Sequence, residues 1–273
     1  MSLPAPYLHT DGRYLHLGKG PAKIDDPRRF MLQDVLPRVT PPASANWYKG
    51  VTSFGTMLNN VLGDCVVAAI GHAEQVATLN TSSGELTPPD AAIENVYAKA
   101  CGYVPGKPNS DNGCVIVDTL NWVRRHGIGV RKDDPSRHHK PTLYAYADPD
   151  PGDIAHVKQA IATFGILDIG LQLPITAQKQ VGALWTIVGD PNTDWKAMPG
   201  SWGGHSIVVC AYDAHQLIGI TWGQLQAMDW GFFSAYCDEA HALLMHQWMA
   251  TPAIVQSGFD LAAMEAKLKA LSD

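Results

Sequence analysis

The sequence predicts an α+β fold, with helices gathered in the front half and an antiparallel, strand-rich back half. Two patterns carry this reading. From Cys65 onward apolar residues recur at helical spacing, and the recurrence returns in two further segments before residue 126. After residue 140 the apolar residues gather mostly into short runs bounded by turn residues. Two of these runs, 206–212 and 217–222, flank Asp213-Ala214-His215-Gln216 and read as a hairpin.

Residues 1–56 are rich in Pro, Gly and Asp and show little periodicity. They are expected to form an extended arm that wraps the rest, with one short helical turn near 29–35. Pro37, Pro41 and Pro42 argue against regular structure after it. Residues 57–273 form the domain proper: a helical lobe over about 57–130, a β-rich lobe over about 140–250 and a closing helix over 258–272. The first helix runs from Cys65 to about Leu79 on Val66, Val67, Ala69, Ile70, Ala73, Val76 and Ala77, and stops at Thr81-Ser82-Ser83-Gly84. A second runs from Pro89-Asp90 to Ala100, before a loop at 102–113. A third covers 116–125 with Val117, Leu120 and Trp122, and ends at His126-Gly127. The run 132–140 mixes charge signs and reads as a solvated loop. A strand is expected at 141–146, then a helix at 153–163 with Asp153 near its cap. Strands follow at 166–173, in the hairpin, and at 231–236 and 240–244. The helix at 259–271 shows Leu261, Met264, Leu268 and Leu271 on its apolar side.

Composition narrows the function classes. The chain has 273 residues, 46% of them hydrophobic and 17% charged, with a net charge of −6, which argues against a general nucleic-acid surface. Arg28-Arg29 and Arg124-Arg125-His126 are too short to alter that. No apolar run approaches the roughly 18 residues of a membrane span. Met1-Ser2-Leu3-Pro4 lacks the charge and apolar stretch of a secretory signal, so the expected location is cytoplasmic, with a phage-associated setting as the variant. Five cysteines is an odd, sparse count that argues against a disulfide framework, so free thiols are expected. No C-x-x-C pair supports a zinc site, and Gly18-Lys19-Gly20 is too short for a phosphate loop. No cofactor or metal is expected. The sequence leaves the oligomeric state open.

The chemistry concentrates in two short motifs. Asn59-Asn60-Val61-Leu62-Gly63-Asp64-Cys65 places a cysteine where a helix begins, and Gly203-Gly204-His205 places a histidine at the head of an apolar strand. A thiol is a poor nucleophile until ionised, and both a helix N-terminus and a neighbouring imidazolium favour its thiolate. His72 is the rival histidine, but it lies two turns along the helix, about 10 Å from Cys65 along the axis, and is read as a packing residue. Acyl transfer also needs donors for an oxyanion. The Cys65 backbone N–H is one, and the amide of Asn59 or Asn60, with Asn59 preferred, is the second. Asp64 is read as the helix cap. Several of Trp185, Trp195, Trp202, Trp222 and Trp230 are expected along a cleft, with Trp222 shielding His205.

These motifs resemble those of the papain-like cysteine peptidases. In that family a glutamine stands six residues before the nucleophile and a glycine two before it; Asn59 and Gly63 hold those places here. The separation of Cys65 and His205, 140 residues, lies inside the roughly 130–150 of papain-type sequences. His205 is followed by Ala211-Tyr212 where the family has Gly-Tyr, and Thr221-Trp222-Gly223 with Trp230-Gly231 resembles its Trp-Gly segment. Asn112-Gly113-Cys114 and residues 120–127 resemble its Gly-Cys loop and the helix after it. The sequence departs from the pattern in three ways: Val66 replaces the tryptophan after the nucleophile, the amide at the oxyanion position is the shorter Asn59, and no asparagine precedes the Trp-Gly. Counting from His205 puts Thr221 in the orienting position, whereas aligning Trp222-Gly223 puts Ile220 there; the threonine hydroxyl can accept a hydrogen bond and isoleucine cannot, and Gln224 and Asp229 are the nearby alternatives.

The resemblance implies an inter-lobe cleft with Cys65 on the helical lobe and His205 on the β lobe. It implies a hydrolase of peptide or amide bonds acting on a peptide or protein substrate through a thioester, with Cys65, His205, Asn59 and Thr221 as the working set. Two alternatives stand beside it. One is a weak or inactive binding module that keeps the fold. The other is acyl transfer or a cell-wall amidase of the NlpC/P60 type, which shares the Cys-before-His order.

Overall fold

A computed structural model of the chain describes residues 3–81, 84–129 and 143–270. The helix stop at Ser82-Ser83, the mixed-charge loop at 132–140, the start of the strand expected at 141–146, and Leu271 lie outside the described residues.

The first part of the chain is an extended arm. It carries a small antiparallel ribbon, β1 (Tyr7–Leu8) and β2 (Tyr14–Leu15), and one 3₁₀ turn at Leu32–Asp34, within the stretch where a helical turn is expected. It ends at β3 (Ala45–Asn46), which adds to the main sheet.

Three helices follow: α1 (Cys65–Leu79), α2 (Asp90–Cys101) and α3 (Ile116–His126). Every residue of α1 from Cys65 to Thr78 is buried, so it is a core helix covered on all sides rather than an amphipathic surface one. It packs on the sheet on one side and on α2 and α3 on the other. After them come β4 (Leu143–Ala147), α4 (Ile154–Phe164), β5 (Leu167–Leu173), β6 (Gly203–Tyr212), β7 (Gln216–Thr221), β8 (Gln224–Asp229), α5 (Trp230–Tyr236), β9 (Cys237–Met245), α6 (Pro252–Val255) and α7 (Leu261–Ala270). Asp153 caps α4 as expected, its Oδ1 accepting the His156 N–H at 3.0 Å.

The main sheet is antiparallel, in the order β4-β9-β5-β6-β7-β8, with β3 paired to β6. Its centre, β5 and β6, is buried almost throughout. The whole is therefore α+β, with three helices ahead of most of the sheet and four more between and after its later strands. Among the described residues no helix is long and apolar enough to cross a membrane.

Two expectations are corrected. The stretch expected as a strand at 231–236 is the helix α5. Asp229 starts it by accepting the Phe232 N–H at 2.6 Å, and Phe232, Phe233 and Tyr236 all turn inward, a helical rather than a two-residue repeat. The strand lies just before it, as β8. Gln226 is buried within that strand and satisfied, accepting from Gly182 N (2.8 Å) and donating to Ala183 O (2.5 Å).

The second correction concerns the cysteines. Cys101 and Cys114 form a disulfide with Cα atoms 5.3 Å apart, leaving Cys65, Cys210 and Cys237 as thiols. Gly102 ends α2 in the left-handed conformation, and the loop that follows returns Cys114 to the helix end. A bridge spanning 13 residues removes loop entropy from the unfolded chain worth about 3 kcal/mol. Replacing both cysteines by serine should lower the urea-unfolding free energy by about that amount. An unchanged midpoint would show that the loop is held without the bridge.

Candidate active site

Cys65 is the first residue of α1, so its backbone N–H precedes the helix's own hydrogen-bond ladder. The turn leading into it is built on two non-glycine residues with positive φ, Met57 (49°) and Leu58 (69°), which set the direction of Asn59. Asn59 is buried, and its Nδ2 donates to Leu62 O (3.0 Å) and to His16 O (3.4 Å). Asn60, the other amide considered, turns away to accept from Thr56 Oγ1 (2.8 Å).

His205 stands on β6 opposite Leu171 of β5 and is fully buried. Its Nε2 is 2.7 Å from Thr221 Oγ1, at the end of β7, while its Nδ1 has no hydrogen-bond partner among the described residues. Trp222 lies flat over the imidazole, ring centroids 4.2 Å apart and planes 15° from parallel. The indole reaches that place because Trp222 takes the left-handed conformation (φ 46°) in the two-residue turn between β7 and β8, followed by Gly223 (φ 77°). A bulky residue seldom occupies such a position, so the strain is held by what the ring covers.

The structure thus brings Thr221 and Trp222 onto His205, and puts Asn59 just ahead of Cys65. Trp202 stacks on Trp222 at 5.8 Å, and Trp185 meets it edge-on at 6.2 Å, whereas Trp195 is 63% exposed and lines nothing. His72 bonds Gln75 inside the core and burial pushes its pKa down to about 4, as suits a packing residue. Asp64 is corrected: it holds the cap position, but its carboxylate makes no capping bond. It is buried, and burial pushes its pKa well above the usual carboxylate range, with the Asn59 amide opposing.

What the sequence did not disclose is what fills the cleft. The arm runs through it from Arg13 to Gly20. Arg13 donates to Trp222 O (2.5 Å) and Gln224 Oε1 (2.7 Å), and Trp222 Nε1 donates to His16 O (3.1 Å). Gly18 O accepts from Cys114 N (2.7 Å), Lys19 N donates to Gly204 O (3.1 Å), and Gly20 N donates to Cys114 O (2.6 Å). The arm is therefore stitched to both lobes. Gly18 passes so close that a Cβ there would sit 1.6 Å from Gly63 O.

Beyond Gly18 the Lys19 side chain is wholly buried. Its Nζ lies 2.9 Å from Asp238 Oδ2 and 2.9 Å from Glu239 Oε1. Glu239 Oε2 is 3.1 Å from His241 Nε2, whose Nδ1 is 2.5 Å from Asp148, and Asp148 also pairs with Arg29.

Covering the site keeps the reactive pair neutral. Burial pushes the Cys65 thiol up to about 12, although the backbone N–H groups of Ser206 and Gly18 work the other way. Burial likewise drives His205 down to about 3. With the arm in place there is a thiol and a neutral imidazole, not an ion pair.

A helix-borne cysteine, a sheet-borne histidine and a cleft between them are laid out as in the papain-like fold, and that is the fold of this chain. It is similar to the crystal structure of xylellain, a cysteine protease from Xylella fastidiosa, at 15% identity, covering 90% of this chain and 99% of that one with a TM-score of 0.60. It is also similar to digestive procathepsin L 3 of Tenebrio molitor larval midgut (13% identity, 83% and 76% covered, TM-score 0.57). A third is the Carica candamarcensis cysteine protease CMS1MS2, solved with E-64 (12%, 75% and 99%, 0.54). No protein-family model matches the sequence, and no curated protein matches it.

Two predictions follow from this geometry. Gly18→Ala forces the arm off Gly63, and Cys65 should then react with iodoacetamide at mildly acidic pH at least about tenfold faster than in the parent chain. Equal rates would mean that the arm does not control the thiol. The second prediction concerns His241. Burial opposes its charge, but Asp148 and then Glu239 outweigh burial and raise its pKa from 6.5 to about 10. Its contribution to stability is full below the unfolded value and is lost as pH rises through the folded one. Denaturant midpoints measured at about pH 6, 8 and 10 should fall across that window, and His241→Gln should flatten the fall.

Proposed function

We propose that the chain is a cysteine-dependent hydrolase of peptide or amide bonds, held closed at rest by its own arm. The observation that carries this reading is the hydrogen bond between His205 Nε2 and Thr221 Oγ1. With the hydroxyl accepting the Nε2 proton, the imidazole is locked in the tautomer whose Nδ1 lone pair is free to act as a base. Thr221 is then the positioning residue that the missing asparagine would otherwise supply, and Trp222 keeps water from that bond.

Once the arm is displaced, water and substrate enter and the burial that suppresses ionisation is relieved. Cys65 gives its proton to His205 Nδ1, and the thiolate attacks the substrate carbonyl carbon. The carbonyl π electrons move to oxygen, where the Cys65 N–H and Asn59 Nδ2 donate to the oxyanion. Asn59 Nδ2 already reaches a carbonyl oxygen of the arm, that of His16. As the C–N bond breaks, His205 returns its proton to the leaving amine, and a thioester remains on Cys65. His205 then takes a proton from water, the hydroxide attacks the thioester, and the acid leaves as Cys65 recovers its proton.

The filled cleft favours a second reading, a binding module closed for good. Turnover separates the two. In the Gly18→Ala background a peptide mixture should be hydrolysed, Cys65→Ala should abolish the activity, and Thr221→Val should lower kcat by at least about tenfold while Thr221→Ser retains it. Absence of hydrolysis, with Cys65 already reactive toward iodoacetamide, would sink the hydrolase reading. Transfer products formed with added amines would redirect it to acyl transfer.

A further inference from the structure

The pocket that holds Lys19 is a built site, and the chain fills it with a residue of its own arm. We propose that, when the arm lifts, this pocket receives a lysine or arginine side chain of the substrate, so that Asp238 and Glu239 select basic peptides. The inference rests on the hydrolase reading for its setting, because the pocket is reached from the cleft beside Cys65.

Three features make the pocket specific to a long chain ending in a cation. Its floor is Gly170 on β5, where an added Cβ would meet Lys19 Cε at 2.1 Å; only a residue without a side chain lets an alkyl stem pass. Its end is a pair of carboxylates, Asp238 and Glu239, both 2.9 Å from the ammonium nitrogen. Each carboxylate is held by a second group: Gln172 Nε2 donates at 2.7 Å to Asp238 Oδ2, the oxygen that Lys19 also reaches, and His241 Nε2 lies 3.1 Å from the far oxygen of Glu239. The positive groups of the cluster, His241 and Arg29, face Asp148 and the back of Glu239. Neither reaches the oxygens that Lys19 occupies. Withdrawing Lys19 therefore leaves a buried carboxylate oxygen, Glu239 Oε1, without a cation, a state that a neutral side chain cannot relieve and a basic one can.

Room for the rest of a peptide lies alongside. A groove of about 600 Å³ is bordered on one side by the arm itself, at Pro4 and Gly20, and on the other by Cys114, Gln172 and Gly204, so that lifting the arm widens it. The backbone groups of Cys114 and Gly204, which now hold the arm, are the ones a substrate would use.

The test is binding, read by fluorescence anisotropy of labelled, blocked peptides that differ only in one residue: lysine, arginine or norleucine. The full chain is used with the arm loosened in two independent ways, by Gly18→Ala or by Lys19→Met. Lysine and arginine peptides should bind at least about tenfold more tightly than the norleucine peptide. Asp238→Asn, at the more exposed of the two carboxylates, should cut that preference severalfold without unfolding the chain. Equal affinity for the three peptides, binding to neither variant, or a preference untouched by Asp238→Asn would each overturn the proposal. Because turnover is not the readout, basic-selective binding without hydrolysis would sink the hydrolase reading alone. Hydrolysis without charge preference would sink only this one.

Discussion

An ammonium group taken wholly out of water is tolerable only among carboxylates, and Lys19 finds two of them at the bottom of the cleft. That ion cluster does more than pin one side chain. It sets the register of the arm, which puts Gly18 against Gly63 and the Cys65 sulfur, and His16 against Asn59 and Trp222. It also joins the arm to the β lobe through a chain of charges ending at Arg29, itself an arm residue. Breaking a buried pair by removing one partner costs about 3–5 kcal/mol, so the closed state is held by a locally strong but reversible clamp. A competitor carrying its own cation can exchange for Lys19 without leaving the carboxylates bare.

The same closure explains the state of the reactive pair. A helix N-terminus favours a thiolate, yet Cys65 remains a thiol because dehydration outweighs that effect. His205 remains uncharged for the same reason, burial. On the proposed reading, reactivity is controlled by access of water rather than by rearrangement of the residues. The parts stay assembled, with Thr221 on Nε2 and Trp222 on the ring face, while the environment withholds ionisation.

Much of this was legible in the sequence because it rests on local patterns. The start of α1 at Cys65 followed from an apolar helical repeat preceded by polar turn residues. The head of β6 at His205 followed from two glycines before a buried run. Thr221 came from one count along the hairpin, another count gave Ile220, and only the threonine has a hydroxyl that can meet the histidine. Illegible parts depend on contacts between distant segments. Arm residues with no periodicity say nothing of where they lie, and Gly18-Lys19-Gly20 is uninformative until Asp238 and Glu239, over two hundred residues away, are brought beside it. Phe232 and Phe233 concealed a helix because paired aromatics suit a strand equally well, and only the Asp229 cap decides. The disulfide was missed because an odd cysteine count cannot reveal which two thiols a folded loop brings together.

That disulfide places the chain's sulfur atoms under opposing demands. Cys114, whose backbone holds the arm, is oxidised, whereas Cys65 is a free thiol, the form that the proposed nucleophile requires. Oxidants, like alkylating agents, attack the thiolate, and sulfenic acid is the first step on a path that soon becomes irreversible. A sulfur kept dry, protonated and roofed by Gly18 offers them almost none of it. The arm therefore preserves the nucleophile as well as hiding it. On the hydrolase reading proposed above, it would leave an intact thiol for the moment the cleft opens.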